Sequence, residues 1–237
     1  MRTFTPSKGA FGTSSCRTIG VLGGLGPETT SKFYLSLVSK FLKDHAHRPP
    51  MLISNVPVHL SVEKQFITTG KGCALFSSLL EESAQSLERG GADFIAIPCN
   101  TVHMFIRSIR RSVGIPVLSI VEETAKFLSA RNIRAIRIFS TSGSNLKNLF
   151  DSEFRQKGIM PVKLSGREQE ALDKIILKIL SLSATEEDRI VLEQMTRSSE
   201  LPALLACTDL QHLLKPDSKK IFDTLEILEE ASLREMG

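Results

Sequence analysis

The chain has 237 residues, of which 41% are hydrophobic and 24% are charged, as in an ordinary soluble globular protein. No apolar run approaches the roughly 20 residues that span a bilayer, so the composition excludes a membrane protein. The formal charge of +4 leaves room for an anionic ligand, but the basic clusters at 107–111 and 131–137 have no interleaved aromatic residues. We therefore interpret them as solvated helix faces and strand ends rather than as a nucleic-acid surface.

The N-terminal segment, residues 1–16, is polar, basic and free of acidic side chains. It lacks the apolar stretch of a secretory signal, so we predict a disordered tail, with a transit peptide as the alternative. The cysteines are Cys16, Cys73, Cys99 and Cys207. They form neither a CxxC pair nor a Cys/His cluster, which argues against a metal site and favours a reducing, cytoplasmic location.

The first half of the chain alternates between predicted strands and helices. An apolar strand beginning near Thr18 enters a glycine turn, and a helix follows in which Pro27 suits the first turn and Glu28 favours the helix dipole. The next predicted elements are a strand at 50–58, a helix at 73–91, a strand at 92–98 and a helix at 102–114.

The second half repeats this alternation. Its predicted strands lie at 115–120, 134–139 and 201–206, and its predicted helices lie at 121–132, 145–158, 167–182 and 185–199. Strands that alternate with helices indicate parallel βαβ units, so the predicted fold class is α/β.

A strand that ends in a cysteine occurs once in each half. Cys99 is followed by Asn100 and Thr101, Cys207 is followed by Thr208, and the separation of 207 − 99 = 108 residues is close to half the chain. Ligands of open α/β sheets bind outside the carboxyl ends of the strands. If the two halves pack face to face, the two thiols line one cleft.

Two thiols that face each other across a cleft can invert a stereocentre. The ionised thiol removes a proton from one face of a carbon, and the protonated thiol returns a proton to the other face. A carbanion beside a carboxylate also needs several hydrogen-bond donors fixed in advance. The candidate donors are Asn100, Thr101, Thr141, Ser142, Ser144 and Thr208.

Four further residues near the thiols have predicted roles. The "GGLGPE" turn is not a dinucleotide fingerprint, because Thr29 stands where the third glycine would fall, and we interpret Gly24 and Gly26 as allowing a close backbone approach. Asp209 either orients Cys207 or caps the following helix. His103 either supports the structure or tunes the pKa of the Cys99 thiol.

Five segments, "IGVLGGLGPETT", "GADFIAIPCNTVH", "IPVLSIVEETAK", "STSGS" and "ACTDL", resemble in order the motifs of the aspartate/glutamate racemase family, in particular its cofactor-independent aspartate racemase branch. The resemblance implies two pseudo-symmetric α/β domains, each with a parallel sheet flanked by helices and with the active site in the cleft between them. It also implies a homodimer that racemises aspartate, glutamate or a related amino acid without pyridoxal phosphate, using Cys99 and Cys207 as paired bases.

The same resemblance assigns domain boundaries and further site residues. It implies a first domain at 17–115 plus 219–237 and a second domain at 116–218, with Asn55 near the substrate. In aspartate racemases an arginine and a later lysine hold the side-chain carboxylate, and here Lys64 and Ser181 fall at those two positions.

Other functions remain open from the sequence. Related families use one or both cysteines to racemise hydantoins, isomerise maleate or decarboxylate malonates. A catalytically silent homologue that binds a small anion is a further alternative. A cysteine hydrolase is disfavoured, because only His103 lies close in sequence to either thiol.

Overall fold

The computed structural model describes residues 16–71, 74–217 and 219–237. Residues 1–15 of the predicted tail, and Cys73, lie outside the described residues. Within the described ranges, none of the helices combines the length and the apolar character needed to cross a bilayer.

The first half forms a parallel sheet in the order β2-β1-β3. Its strands are β1 (Ile19–Gly23), β2 (Met51–Asn55) and β3 (Phe94–Ala96), and its helices are α1 (Pro27–Asp44), α2 (Leu60–Thr69), α3 (Ala74–Arg89) and α4 (Ile106–Ser112). Every residue of β1 is buried, as expected of a central strand that is covered on both faces.

The second half forms a parallel sheet in the order β5-β4-β6-β7. Its strands are β4 (Ala135–Phe139), β5 (Met160–Lys163), β6 (Ala203–Leu205) and β7 (Ile221–Asp223). Its helices are α5 (Ile120–Ala130), α6 (Ser142–Leu146), α7 (Asp151–Gln156), α8 (Gly166–Leu180), α9 (Glu186–Arg197) and α10 (Thr224–Met236). The predicted α/β class, with parallel sheets flanked by helices, is confirmed.

One large apolar cluster contains residues of both sheets and packs the two halves together. It contains Val21 and Phe94 from the first sheet, Ile138 and Leu204 from the second, and Leu228 from α10. Helix α10 packs against both α5 and α1, whereas β7 pairs with β6 in the second sheet. The predicted second part of the first domain, 219–237, thus begins with a strand of the second sheet, and the division into domains stays a prediction.

The local structure differs from the sequence patterns in several places. Residues 115–120, predicted as a strand, contribute one bridge between Ile95 and Val117, because Pro116 has no N–H to donate and Ser119 already caps α5. The predicted helix at 145–158 is interrupted where Asn148 adopts a positive φ of 53°. Helix α2 and strands β5 and β7 were not predicted.

Helix α2 lies directly against α6 of the other half. A Cβ atom added to Gly143 would lie 2.5 Å from the carbonyl oxygen of Phe66 and 2.7 Å from that of Ile67. The absence of a side chain at Gly143 therefore sets how closely these two helices approach.

We predict that Gly143→Ala destabilises the protein by about 1 to 3 kcal/mol, because backbone atoms of α2 must move to admit the methyl group. Gly166→Ala is the matched control, since a Cβ there meets no atom within 4 Å. Urea unfolding followed by circular dichroism measures both free energies of unfolding. Equal stability of Gly143→Ala and wild type would contradict the close packing of α2 on α6.

Candidate active site

The two thiols meet in one cleft where the carboxyl ends of the two sheets face each other. Cys99 follows β3 and Cys207 follows β6. The cleft is lined by Leu25, Glu63, Phe66, Ile67, Phe76, Cys99, Asn100, Thr101, Val102, Thr141, Cys207, Thr208 and Asp209. Its free volume of about 20 Å³ is too small for an amino acid. The walls must therefore separate before such a ligand enters.

Cys99 lies just before the short 3-10 helix Thr101–Phe105. Burial, together with the negative charges of Asp209 and Glu63, raises the pKa of the Cys99 thiol to about 12. The backbone N–H groups of Val102 and Thr101 oppose this rise. In the free protein Cys99 is therefore a protonated thiol near neutral pH.

Cys207 is 6% exposed, and its sulfur lies 3.9 Å from Oδ2 of Asp209, to which the thiol donates. Burial raises the pKa of Cys207 well above its usual value, and the charge of Asp209 raises it further, against a smaller opposing effect from the Asp209 backbone N–H. Ionisation of Cys99 also raises the pKa of Cys207, so the two thiols are close enough to interact electrostatically.

Asp209 is held by residues of the first half. The hydroxyl of Thr29 donates to Oδ1 of Asp209 at 2.6 Å and lies 3.3 Å from Nε2 of His212. Burial raises the pKa of Asp209, and the Thr29 hydrogen bond opposes this. The side chain of Asp209 therefore links Cys207 to the start of helix α1.

The glycine turn approaches polar groups on both sides. A Cβ on Gly26, whose φ is +25°, would lie 2.9 Å from Oδ1 of Asp209. A Cβ on Gly24, whose φ is +90°, would lie 2.5 Å from Oδ1 of Asn55. Both glycines combine a positive φ with a close approach, which a side chain would prevent.

The side chain of Asn100 has a fixed orientation. Its Nδ2 donates to the hydroxyl oxygen of Thr224 at 2.8 Å, and that hydroxyl donates in turn to the carbonyl oxygen of Leu205 at 3.1 Å. Asn100 is 1% exposed, and its Oδ1 accepts no hydrogen bond from the described residues. A buried acceptor without a partner, on a residue that lines the cleft, favours a ligand that donates to it.

Hydroxyl groups connect the two halves beside the thiols. The hydroxyl groups of Thr101, Thr141 and Ser144 are hydrogen-bonded to one another in a ring, with oxygen–oxygen distances of 3.0 to 3.3 Å. The hydroxyl of Thr208 donates to the carbonyl oxygen of Pro98 at 3.2 Å. These hydrogen bonds hold the loop after β3 against the loops after β4 and β6.

The predicted site residues divide into two groups. Those that line the cleft are Cys99, Asn100, Thr101, Thr141, Cys207, Thr208 and Asp209. Ser144 is not in the lining, but its hydroxyl oxygen accepts a hydrogen bond from Thr141. Asn55, Lys64 and Ser142 are not among the lining residues, and the Ser142 hydroxyl donates to Asp173 instead.

The sequence patterns missed two contributors to the cleft. Glu63 lines it together with Phe66 and Ile67, three and four residues further along α2. This spacing on one helix face would have indicated Glu63 if α2 had been predicted. Thr224 was missed because its hydrogen bond to Asn100 spans 124 residues.

His103 connects the Cys99 loop to helix α5. Its Nδ1 donates to the carbonyl oxygen of Cys99 at 2.8 Å, and its Nε2 accepts from the backbone N–H of Ile120 at 3.0 Å. Burial lowers the pKa of His103 to about 4, so the ring is neutral at physiological pH. These contacts correspond to the structural role considered for His103.

The described part of the chain contains no group of three or more histidine, cysteine, aspartate or glutamate residues placed to hold a metal ion. The chemistry that the cleft offers comes from two thiols, two carboxylates and a set of hydrogen-bond donors and acceptors.

Comparison with known proteins identifies the family. The profile described as Asp/Glu/Hydantoin racemase matches residues 22–230. A broad specificity amino-acid racemase, RacX of Bacillus subtilis (strain 168), is 25% identical over 205 residues, covering 83% of this chain and 87% of that protein. The chain therefore belongs to the Asp/Glu/hydantoin racemase family, and it is an isomerase.

Solved structures support the fold assignment. An aspartate racemase homologue from Pyrococcus horikoshii OT3 has a TM-score of 0.74 at 24% identity, covering 92% of this chain and 98% of that one. The aspartate racemase of Picrophilus torridus has a TM-score of 0.76 at 21% identity, covering 93% of this chain and 94% of that one. These likenesses extend over nearly the whole described chain.

We predict that Asp209→Asn increases the rate at which a thiosulfonate reagent labels both cleft thiols, as methyl disulfides, by about ten-fold at pH 8. Removing the negative charge lowers the pKa of Cys99 and Cys207, and the thiolate is the reactive form. Mass spectrometry after timed exposure to methyl methanethiosulfonate measures the rates, with the exposed Asp44→Asn as the matched control. Unchanged or slower labelling of Asp209→Asn would contradict the electrostatic role of Asp209.

We predict that His103→Gln loses less stability than wild type as the pH falls from about 6.5 towards 4. The folded pKa of about 4 lies below the unfolded value, so the stability from neutral His103 is present above the unfolded pKa and is lost on acidification. The shift corresponds to roughly 3 kcal/mol over that range. Urea unfolding at a series of pH values measures the difference in free energy of unfolding between wild type and His103→Gln. A difference that does not change with pH would contradict a buried neutral ring.

Proposed function

We propose that this member of the Asp/Glu/hydantoin racemase family interconverts the enantiomers of an amino acid by proton transfer between Cα and two thiols, Cys99 and Cys207, without pyridoxal phosphate. The observation that carries the proposal is that one thiol from each half lines the same cleft. The 25% identity to a broad specificity amino-acid racemase supports an amino acid as the substrate class.

The reaction requires one thiolate and one thiol at a time. Cys207 has an acceptor for its proton in Asp209, whose carboxylate receives the thiol hydrogen bond. Once ionised, Cys207 takes the α-proton from one face, and Cys99 gives its own proton to the other face. One C–H bond and the S–H bond of Cys99 break, and one C–H bond and the S–H bond of Cys207 form. Cys99 is then the thiolate, which is the state needed to deprotonate the opposite enantiomer.

The substrate itself supplies a positive charge to the cleft. In the free protein burial and the neighbouring carboxylates keep both thiols protonated. An α-ammonium group beside the sulfurs favours their ionised form and so lowers their pKa. Proton abstraction therefore becomes possible when the amino acid is bound and the cleft has closed over it.

The polar residues of the cleft match the other groups of an amino acid. Oδ1 of Asn100 accepts no hydrogen bond from the part of the chain that the structure describes, and it can accept one from the α-ammonium group. The hydroxyl groups of Thr101, Thr141 and Thr208 can donate to the α-carboxylate by rotating away from their present acceptors, at the place where negative charge increases during deprotonation.

We predict that Cys99→Ser and Cys207→Ser each reduce racemisation by at least about 100-fold, because a serine hydroxyl is far too weak an acid or base. Chiral chromatography measures product formation, proton NMR in D2O measures exchange at Cα, and circular dichroism checks the fold. Cys16→Ser is the control, since Cys16 lies outside the cleft lining. Near-normal racemisation by either cleft variant would overturn the two-thiol mechanism.

A further inference from the structure

The charged side chains around the thiols are all acidic. Glu63 and Asp209 line the cleft, and a second cavity of about 240 Å³ on the other side of Asp209 is lined by Glu28 and His212. Within the described residues, neither cavity has a lysine or arginine in its lining. The electrostatic environment of the site therefore favours a cation.

The two positions expected to supply a cation for a side-chain carboxylate do not do so. Lys64 is not among the lining residues, whereas its neighbour Glu63 is. The Ser181 hydroxyl donates to the carbonyl oxygen of Leu177. Lys178, one turn earlier, has its ammonium group 2.7 Å from Asp188. An acidic substrate side chain thus meets carboxylates where an aspartate racemase would offer positive charge.

Of the two carboxylates, Glu63 is the one still open to a ligand. The oxygens of Asp209 are engaged by Cys207 and Thr29. Glu63 forms no ion pair with a described side chain, and the backbone N–H of Gly26 is its hydrogen-bond donor. Burial and the charge of Asp209 raise the pKa of Glu63, and a bound cation would relieve both effects.

An apolar wall accompanies Glu63. Leu25, Phe66 and Phe76 line the same cleft and are at most 5% exposed. The ring centroids of Phe66 on α2 and Phe76 on α3 lie 5.0 Å apart, so this wall is formed where the two helices pack together. An apolar surface that leads to a carboxylate suits a methylene chain with a positive end.

The unpartnered Oδ1 of Asn100, which is 1% exposed, independently marks this cleft as a ligand site. We propose that the substrate is an α-amino acid whose aliphatic side chain ends in a cation, such as lysine, ornithine or arginine, and that Glu63 selects it by pairing with that cation. This inference rests on the proposed racemase function, since it concerns the substrate of the same site.

The alternatives fit the cleft less well. The side chain of aspartate or glutamate would add a third negative charge beside Glu63 and Asp209. A small neutral side chain would leave Glu63 partly buried without a counter-ion among the described side chains, and it would leave the apolar wall without contact. A neutral chain such as that of norleucine makes the apolar contacts and lacks only the ion pair, so it isolates the contribution of Glu63.

The experiment measures racemisation by wild type, Glu63→Gln and the control Glu170→Gln, which changes an exposed carboxylate on α8. The substrates are L-lysine, L-ornithine, L-arginine, L-norleucine, L-aspartate and L-glutamate, followed by loss of the α-proton signal in D2O and by chiral chromatography. We expect wild type to favour the basic amino acids. Removing the Glu63 charge also lowers the pKa of Cys99 for every substrate, so the ratio of the two substrates is the readout. Glu63→Gln should lower kcat/KM for lysine relative to that for norleucine by at least about ten-fold, mainly through KM.

The outcomes separate the two proposals. If wild type turns over aspartate, glutamate or norleucine in preference to the basic amino acids, the proposal of a basic substrate is wrong and the proposal of a racemase is unaffected. An equal loss for lysine and norleucine in Glu63→Gln would contradict selection by charge. No exchange with any amino acid, in folded protein with reduced thiols, would overturn the racemase and the inference together.

Discussion

The rest of the site depends on one constraint: the buried Cys207 thiol and the partly buried Cys99 thiol lie beside carboxylates, and the described lining of the cleft contains no lysine or arginine. Burial together with the charge of Asp209 raises the pKa of Cys99 to about 12, so Asp209 adds to the effect of burial rather than compensating for it. A low-dielectric site of this kind holds no stable thiolate by itself. In the mechanism that we propose, positive charge arrives with the ligand, which couples binding to the generation of the base.

The fold positions the thiols by placing the carboxyl ends of two parallel sheets opposite each other. Hydrogen bonds across this junction run from Thr29 to Asp209, from Thr208 to Pro98 and from Asn100 to Thr224. Each one crosses between segments more than 100 residues apart in the chain. The same contacts that pack the halves together therefore orient the groups beside the sulfurs, so stability and site geometry are linked.

Periodicity along the chain was enough to predict the α/β class and the strands that deliver Cys99 and Cys207, because buried parallel strands are short apolar runs that end in polar turns. Periodicity was not enough to predict α2, because the β-branched residues of this helix weaken the helical pattern. The position of Glu63 in the cleft was therefore not predicted either. Strand β7 has three residues, too few to show a period. The pairing of Thr29 with Asp209 depends on tertiary packing, which local patterns do not encode.

The most direct test of the two-thiol account is the fate of deuterium at low conversion. A single protiated enantiomer of the amino acid that the protein racemises is incubated in D2O, and both enantiomers are separated and analysed by mass spectrometry. Two bases on opposite faces predict deuterium at Cα of the product enantiomer while the remaining substrate retains protium. Protium retained in the product, or deuterium appearing equally in both enantiomers, would indicate a single base and contradict the account.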